Sequence, residues 1–402
     1  MYVHGIRALF SFPGYVVEKI TMAADMGQVF LRRDKRFRLT CPACGARMAA
    51  NRVKMQTAKD LPLGTACLVM LTYEAIQGRC SVCGGRSTIH PPGINPHARA
   101  TRRLMHFVCR LARHMPLRQI PELVPISQPT ASRWDRSVLT ELLPEPNLDG
   151  LRVLLVDEKA VRKGQGYVTL VMNGDNGELL HMAEGRKKAS LESFFNKLSH
   201  AQKASIVAVA MDRAGIYRSV VKAELPHADV VFDKFHLIRN YHDVIDRVRR
   251  IEWRKANDAD RSVIKGQRYN LFRNPENRTP SQTHKLHALL AINKPLMRAY
   301  VLKDALREVW TYAQGSWSKD YLDQWIAWGL KSGVGAVMTF ARSLSKVKQE
   351  ILNYHRHKIT TGPLEAFNNV VGRIIHRACG MPNLDYLFLK LRQESLNFVP
   401  PK

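Results

Sequence analysis

Four acids in this chain sit where a carboxylate can do chemistry. Asp157 follows the apolar run LRVLLV, Asp212 follows IVAVAM, and Asp233 follows ADVVF, while Glu365 lies early in the helical pattern TTGPLEAFNNVVGRII. Val- and Ala-rich runs of this length, alternating with helices, read as parallel strands buried on both faces. In open α/β sheets, ligands gather at the carboxyl edge of the strands. Asp157, Asp212 and Glu365 together could therefore form an oxygen site for Mg²⁺ or Mn²⁺, hard cations that favour carboxylates and substrate phosphates. Two such ions about 4 Å apart can activate water and stabilise the leaving oxygen of an in-line displacement at phosphorus. Each acid also has a plain structural reading. Asp157 would end a strand in a turn, Asp212 and Asp233 would cap the helices after them, and Glu365 would favour a helix dipole.

A second donor set is sulfur. CPACG supplies Cys41 and Cys44, and CSVCGG supplies Cys80 and Cys83. Two such knuckles, each followed by glycine, point to a tetrahedral Zn²⁺ site with a structural role. The segment between them holds a strand-like run over 66–75, so a zinc ribbon with an inserted hairpin is expected. His90 and His97 are spare donors, and Cys67 and Cys109 sit in apolar runs that read as core.

These groups need elements to position them. Residues 17–40 alternate as short strands would, and PPGINPHAR (91–99) reads as a linker. Three helices are expected next, over Arg103–Met115, over Leu117–Val124, and from Gln128 onward after PISQPTASRW. This is the layout of a helix-turn-helix. Ser127 is placed to cap and Pro129 suits the first turn, while Thr130, Ser132, Arg133 and Arg136 would face DNA. From Leu151 the pattern gives three antiparallel strands, then helix, strand, helix, strand, helix. That is the order of a ribonuclease-H-like fold, which sets the first and fourth strands side by side and Asp157 beside Asp212. Residues 241–358 are helical, basic and rich in tryptophan, read as an insertion whose tryptophans anchor its core. The expected organisation is thus multidomain α/β. It comprises a zinc ribbon (1–95), a helix-turn-helix (96–148), a catalytic core (149–240), an all-helical insertion (241–358), and the rest of the core with the glutamate (359–402).

The formal charge is +28, with a pI near 10.1. Such an excess implies a polyanionic partner, and nucleic acid fits best. No apolar run of about 18 residues exists, which excludes a helical membrane span. MYVHGIRALFSFPG shows no cleavage pattern, so no signal peptide is read and a cytoplasmic protein is expected.

The chain resembles the bacterial insertion-sequence transposases of the ISL-three group, a branch of the DDE transposases. The resemblance is carried by CPACG, CSVCGG, VDEKAVRKGQGY, EGRKKASLESFF, MDRAGIYRSVV, LPHADVVFDKFHLIRN and TGPLEAFNNVVGRIIHRACG, in that order. It implies that Asp157, Asp212 and Glu365 are the catalytic triad, with Asp233 and His236 of DKFH beside them. Ala366 departs from the glycine usual after the glutamate, a change a helix tolerates. The implied activity is cut-and-paste DNA transposition. Terminal inverted repeats are cleaved, the freed ends are joined to target DNA, and a homodimer or larger synaptic assembly holds them. A transposase-derived DNA-binding regulator without activity, or a nuclease without strand transfer, are the alternatives.

Overall fold

The computed structural model describes residues 8–23, 25–64, 68–162, 166–212, 215–379, 381 and 383–398. Cys67 lies outside them, as do the first seven residues and positions within three of the quoted motifs (163–165, 213–214 and 380). The chain divides into two compact units. One is Met1–Pro144 with Ile374–Gln393, and the other is Glu145–Arg373 with Glu394–Lys402.

The first unit begins with strands β1 (Tyr15–Met22), β2 (Met26–Arg33), β3 (Met48–Asp60), β4 (Leu68–Cys80) and β5 (Arg86–Ile89). Of the run expected over 66–75, residues 68–75 belong to β4, which continues to Cys80. Its alternate residues Val69, Leu71, Tyr73 and Ala75 are all buried, the period-two pattern of a strand packed on one side. β4 pairs antiparallel with β3 along its whole length, and β2 runs parallel to its first half. The segment expected as a linker is instead woven into this sheet. Ile94–Asn95 (β6) and Ala100–Thr101 (β7) form a small antiparallel hairpin, and Ala100 pairs with Lys59 of β3.

Helices α1 (Arg102–His114), α2 (Ile120–Leu123) and α3 (Gln128–Leu142) follow, packed around Leu104, Val108, Ile120, Trp134 and Val138. The wholly buried Asp60 fixes them to the sheet. It accepts a 2.6 Å hydrogen bond from the Thr101 hydroxyl and is gripped through both oxygens by Arg103. Ser127 does precede α3, but its hydroxyl meets the Thr130 hydroxyl at 3.0 Å and caps no backbone amide.

The second unit holds β8 (Val153–Ala160), β9 (Tyr167–Asn173), β10 (Leu179–Glu184), β11 (Ala208–Met211) and β12 (Asp229–Phe232), in the order β10-β9-β8-β11-β12. β8 and β11 are parallel neighbours, as expected for the first and fourth strands. Helices α4 (Lys188–Phe195), α5 (His200–Ser205), α6 (Gly215–Glu224) and α7 (Lys234–Lys255) connect and follow them. Then come α8–α15, namely Asp258–Ile264, Arg268–Phe272, Pro280–Ile292, Lys294–Arg307, Gly315–Lys331, Gly335–Ser345, Lys348–Leu352 and Tyr354–His357. The expectation that their tryptophans are core anchors holds for Trp325. It is buried and donates to the Leu302 carbonyl at 2.8 Å. Trp253, Trp317 and Trp328 are 42%, 59% and 48% exposed, so they are surface residues. Glu350 on α14 ties this helical region to α6, accepting from Arg218 at 2.7 Å and pairing with Lys222 at 2.8 Å.

Two helices close the chain, α16 (Gly362–Arg377) and α17 (Leu384–Ser395). The division between units falls within α16, and most of α17 belongs to the first unit. There Asp135 of α3, wholly buried, accepts from the Tyr386 hydroxyl and from Lys390 Nζ at 3.1 Å. α17 is thus a fourth helix of the three-helix layer. Removing one partner of a buried pair strands the other charge, at a cost of about 3–5 kcal/mol. Lys390→Met should lower stability by about that amount in urea unfolding, and adding Asp135→Leu should recover much of it. For the same reason residues 1–148 alone should fold poorly, and a peptide spanning 381–398 added in trans should restore cooperative unfolding.

Candidate active site and zinc site

The two carboxylates at the sheet edge follow from register. Parallel pairing of β8 with β11 ends at Val156↔Met211, so the next residue on each strand is an aspartate. Asp157 does not end its strand, contrary to the turn reading. β8 runs on to Ala160, paired with β9 alone, and Asp157 lies opposite Leu170. Its backbone therefore stays in the ladder with β9, one residue past the last pair with β11. Asp233 follows β12 in the same way, and its amide donates to the Met211 carbonyl at 3.1 Å.

Asp233 is the cap that its sequence context suggests. One oxygen accepts from the amides of Phe235 and His236 at the start of α7. The other oxygen accepts from the Thr361 amide at 2.7 Å, just before α16. One carboxylate thus pins the starts of both helices that carry site residues. α7 presents His236, whose Nε2 lies 2.8 Å from Glu365 and whose Nδ1 lies 3.5 Å from Asp212. The Nε2 contact is a close approach without hydrogen-bond alignment. α16 presents Glu365 and, one turn on, Asn368. Asn368 Nδ2 donates to Asp157 at 2.7 Å.

Asn368 has the closest side-chain hold on Asp157, and sequence reasoning missed that role. The available signal was its i+3 spacing from Glu365 on a helix with a polar side. That polar side is not wholly solvent-facing, since Asn368 is buried along with Leu364, Phe367 and Val371. Its Oδ1 is buried without a partner, as is the Thr361 hydroxyl.

Asp157 is 9% exposed, whereas the side chains of Asp212 and Glu365 are 41% and 42% exposed. Burial pushes the Asp157 carboxyl up from 3.8 to about 6. The Glu158 amide and His236 oppose the rise, and the negative Asp212 and Glu365 add to it. A buried carboxylate among like charges gains from a cation, and Asp157, Asp212 and Glu365 could offer oxygens to a hard divalent ion.

The sulfur site is closed. Cys41 and Cys83 sulfurs are 3.7 Å apart, those of Cys44 and Cys80 are 3.5 Å apart, and all four ligand atoms lie within 4.8 Å of one another. Tetrahedral zinc with bonds of about 2.3 Å needs sulfurs at nearly this separation, so the set fits Zn²⁺. Among the described residues no other acid, histidine or cysteine group closes to that spacing. Gly45 and Gly84 turn the knuckles at φ of 72° and 68°. Amides of Cys83 and Val82 point at Cys80 and lower its thiol to about 6, which readies it as thiolate. His90 is not part of the set and meets the Tyr73 hydroxyl instead.

Comparison with known proteins then decides the family. Residues 154–391 match the ISL3-type DDE transposase family, described as "Transposase". This chain belongs to that family. It is also 29% identical over 394 residues to a Bordetella parapertussis protein named as the transposase for insertion sequence element IS1001, covering 96% of this chain and 97% of that protein. A Mycobacterium tuberculosis protein named as the transposase for IS1557 is 27% identical over 338 residues, covering 78% and 75%. The chain is therefore a transposase of insertion-sequence type, a nucleic-acid-processing enzyme of a family that uses divalent metal. No helix among the described residues is long and apolar enough to cross a membrane.

Two measurements follow from these sites. Asp157 binds its proton more tightly folded than unfolded, so the metal-free fold should lose stability as pH rises from about 4 to about 6 and stay penalised above. In magnesium-free buffer Asp157→Asn should then be stabilising at neutral pH by up to about 3 kcal/mol, and neutral in effect near pH 4, by urea unfolding. In the sulfur site, elemental analysis should find one zinc per chain, lost together with thermal stability in Cys80→Ser.

Proposed function

We propose that this transposase performs cut-and-paste transposition, with Asp157, Asp212 and Glu365 as the metal-binding carboxylates. The observation that carries the reading is the convergence of these three acids on one sheet edge around His236, in a chain of charge +28. The strand order, with its parallel β8–β11 pair, supports a ribonuclease-H-like core. The ion that Asp157, Asp212 and Glu365 would hold, Mg²⁺ or Mn²⁺, supplies activated water and neutralises charge at phosphorus. The protein's own contribution is orientation. Asn368 fixes the Asp157 rotamer, and Asp233 fixes where α7 and α16 start. His236 holds Asp212 and Glu365 apart and can donate a proton to a carboxylate or a nearby phosphate oxygen.

The DNA that is cut would be recognised by the first unit. α3 exposes Arg133 and Arg136, with Thr130 and Ser132 nearer its core side, in a helix-turn-helix arrangement of α2 and α3 that suits terminal inverted repeats. Zinc would hold the end of the β3–β4 hairpin. Joining two element ends to one target calls for a dimer or larger assembly.

The reading is tested with purified protein, Mg²⁺, a labelled duplex carrying the DNA that flanks the gene, and a target plasmid. Asp157→Asn, Asp212→Asn and Glu365→Gln should each abolish cleavage and joining while end binding persists. Cleavage that survives any of the three would refute that residue's role, and cleavage without joined product would point to a nuclease. Asp233→Asn should act differently. Asn caps as well as Asp, but its amide would face the Thr361 amide, two donors together. It should lose about 1–3 kcal/mol of stability and part of its rate, without loss of metal binding by calorimetry.

Asn368→Ala should reduce cleavage about 10–100-fold, the usual effect of removing a group that orients a metal ligand. A rate within about twofold of wild type would show that Asp157 needs no such support.

A further inference from the structure

We propose that the tip of the β6–β7 hairpin, Pro96–Arg99, is a second DNA-reading element that works beside α3. The proposal rests on the reading of α3 as the helix that enters the major groove. The tip is a built structure. Asn95 Oδ1 accepts from the amides of His97 and Ala98 at 3.1 and 3.0 Å, and the Arg99 carbonyl accepts from the Lys59 amide at 2.8 Å. Arg99 itself sits at φ 48°, the left-handed region that a non-glycine residue rarely occupies. Asp60, with Thr101 and Arg103, locks the base of this hairpin to α1.

Two furrows flank the tip, and His97 and Arg99 line both. One, of about 450 Å³, separates the tip from α3 and is edged by Thr130, Arg133 and Ser137, with Lys59 in its wall. The other, of about 700 Å³, lies between the tip and β3 and is edged by Lys54 and Gln56. No carboxylate lines either furrow. Basic composition does not by itself impose this: two other grooves of the same protein are mixed, whereas a cleft lined by Arg118, Arg377 and Tyr386 also lacks carboxylates. The groove beside α7 contains Glu276, Asp304 and Glu308, and the outer flank of α3 contains Glu141. His97, Arg99 and Arg133 are exposed, and none of the three makes an ion pair among the described residues.

The arrangement matches the cross-section of a duplex. A single sugar–phosphate strand separates the major groove from the minor groove beside it. With α3 in the major groove, the narrower furrow would seat that strand between Arg133 and the tip. His97 and Arg99 would then face the adjoining minor groove, where negative potential attracts cationic side chains. The ligand class is therefore duplex DNA, held by its backbone and minor-groove edge on one flank of the helix contact.

The test uses the full-length, zinc-loaded protein and a fluorescein-labelled duplex cut from the DNA flanking the gene, with a scrambled duplex as control. The variant His97→Ala/Arg99→Gly removes the imidazole and the guanidinium, and glycine accepts the left-handed backbone, so thermal stability should hold or rise. Affinity for the flanking duplex should fall about tenfold at physiological salt, and the salt dependence should flatten by about one to two phosphate contacts. Hydroxyl-radical footprinting should lose protection on one flank only. Arg99→Lys should retain most of the binding. Binding within about twofold of wild type with an unchanged footprint, while Arg133→Ala still weakens it, overturns the tip and leaves the helix reading standing. Unchanged binding in both variants overturns the two together.

Discussion

The second unit is organised around negative charge collected at one sheet edge. Asp157, Asp212 and Asp233 come together there because β8, β11 and β12 are parallel and in register, each aspartate lying one residue past the last parallel pair, and α16 adds Glu365. Like charges at close range in a partly dry site are unfavourable, and the protein manages this in three ways. Asp233 is fully engaged by three backbone amides. His236 stands between Asp212 and Glu365. Asp157, the most buried of the remaining three, holds a proton more readily than an ordinary aspartic acid. What remains is a donor set whose favourable completion is a cation.

Building that edge requires distant chain segments. Asp157 and Asn368 are 211 residues apart yet share a 2.7 Å hydrogen bond. The intervening helices must return the chain to the sheet with an accuracy of a hydrogen bond. Glu350, gripped by Arg218 and Lys222, registers that helical region against α6, and the Thr361 amide on Asp233 registers α16 against α7. Asp233 is therefore more than a cap. Its two oxygens couple the placement of His236 to that of Glu365, so a shift of either helix disturbs both.

The sequence revealed features whose cause is local and hid those whose cause is not. Val- and Ala-rich runs ending in aspartate, and paired cysteine knuckles, declare themselves because a buried strand and a zinc knuckle each need a fixed residue type at fixed spacing. Strand order was legible for the same reason. The hydrogen bond of Asn368 to Asp157 was not, since an asparagine on a helix reads the same whether it meets water or a carboxylate. PPGINPHAR looked like a linker because Pro, Gly and Asn favour turns. It is a turn, but one paired into a sheet whose other strands lie far away in sequence. Trp253, Trp317 and Trp328 looked like core because tryptophan usually is, and only packing shows that Trp325 took that place. The partner of the last helix was equally hidden. Asp135 and Lys390 are 255 residues apart, and neither alone announces a buried pair.

The two units carry opposite electrostatic problems. In the first, two furrows are lined by Lys, Arg and His side chains without a carboxylate, a lining that would favour phosphates through counterion release. In the second, Asp157, Asp212 and Glu365 gather at one edge, so under the proposed function phosphates would be repelled there until divalent cations intervene. Under the proposed function, recognition of DNA would be open to the magnesium-free protein, whereas approach of the scissile group would not. A chain of +28 with an acidic edge would keep these two steps separate through charge alone. Such an asymmetry needs no moving part: the sign of the local field would permit binding first and make chemistry wait for the metal.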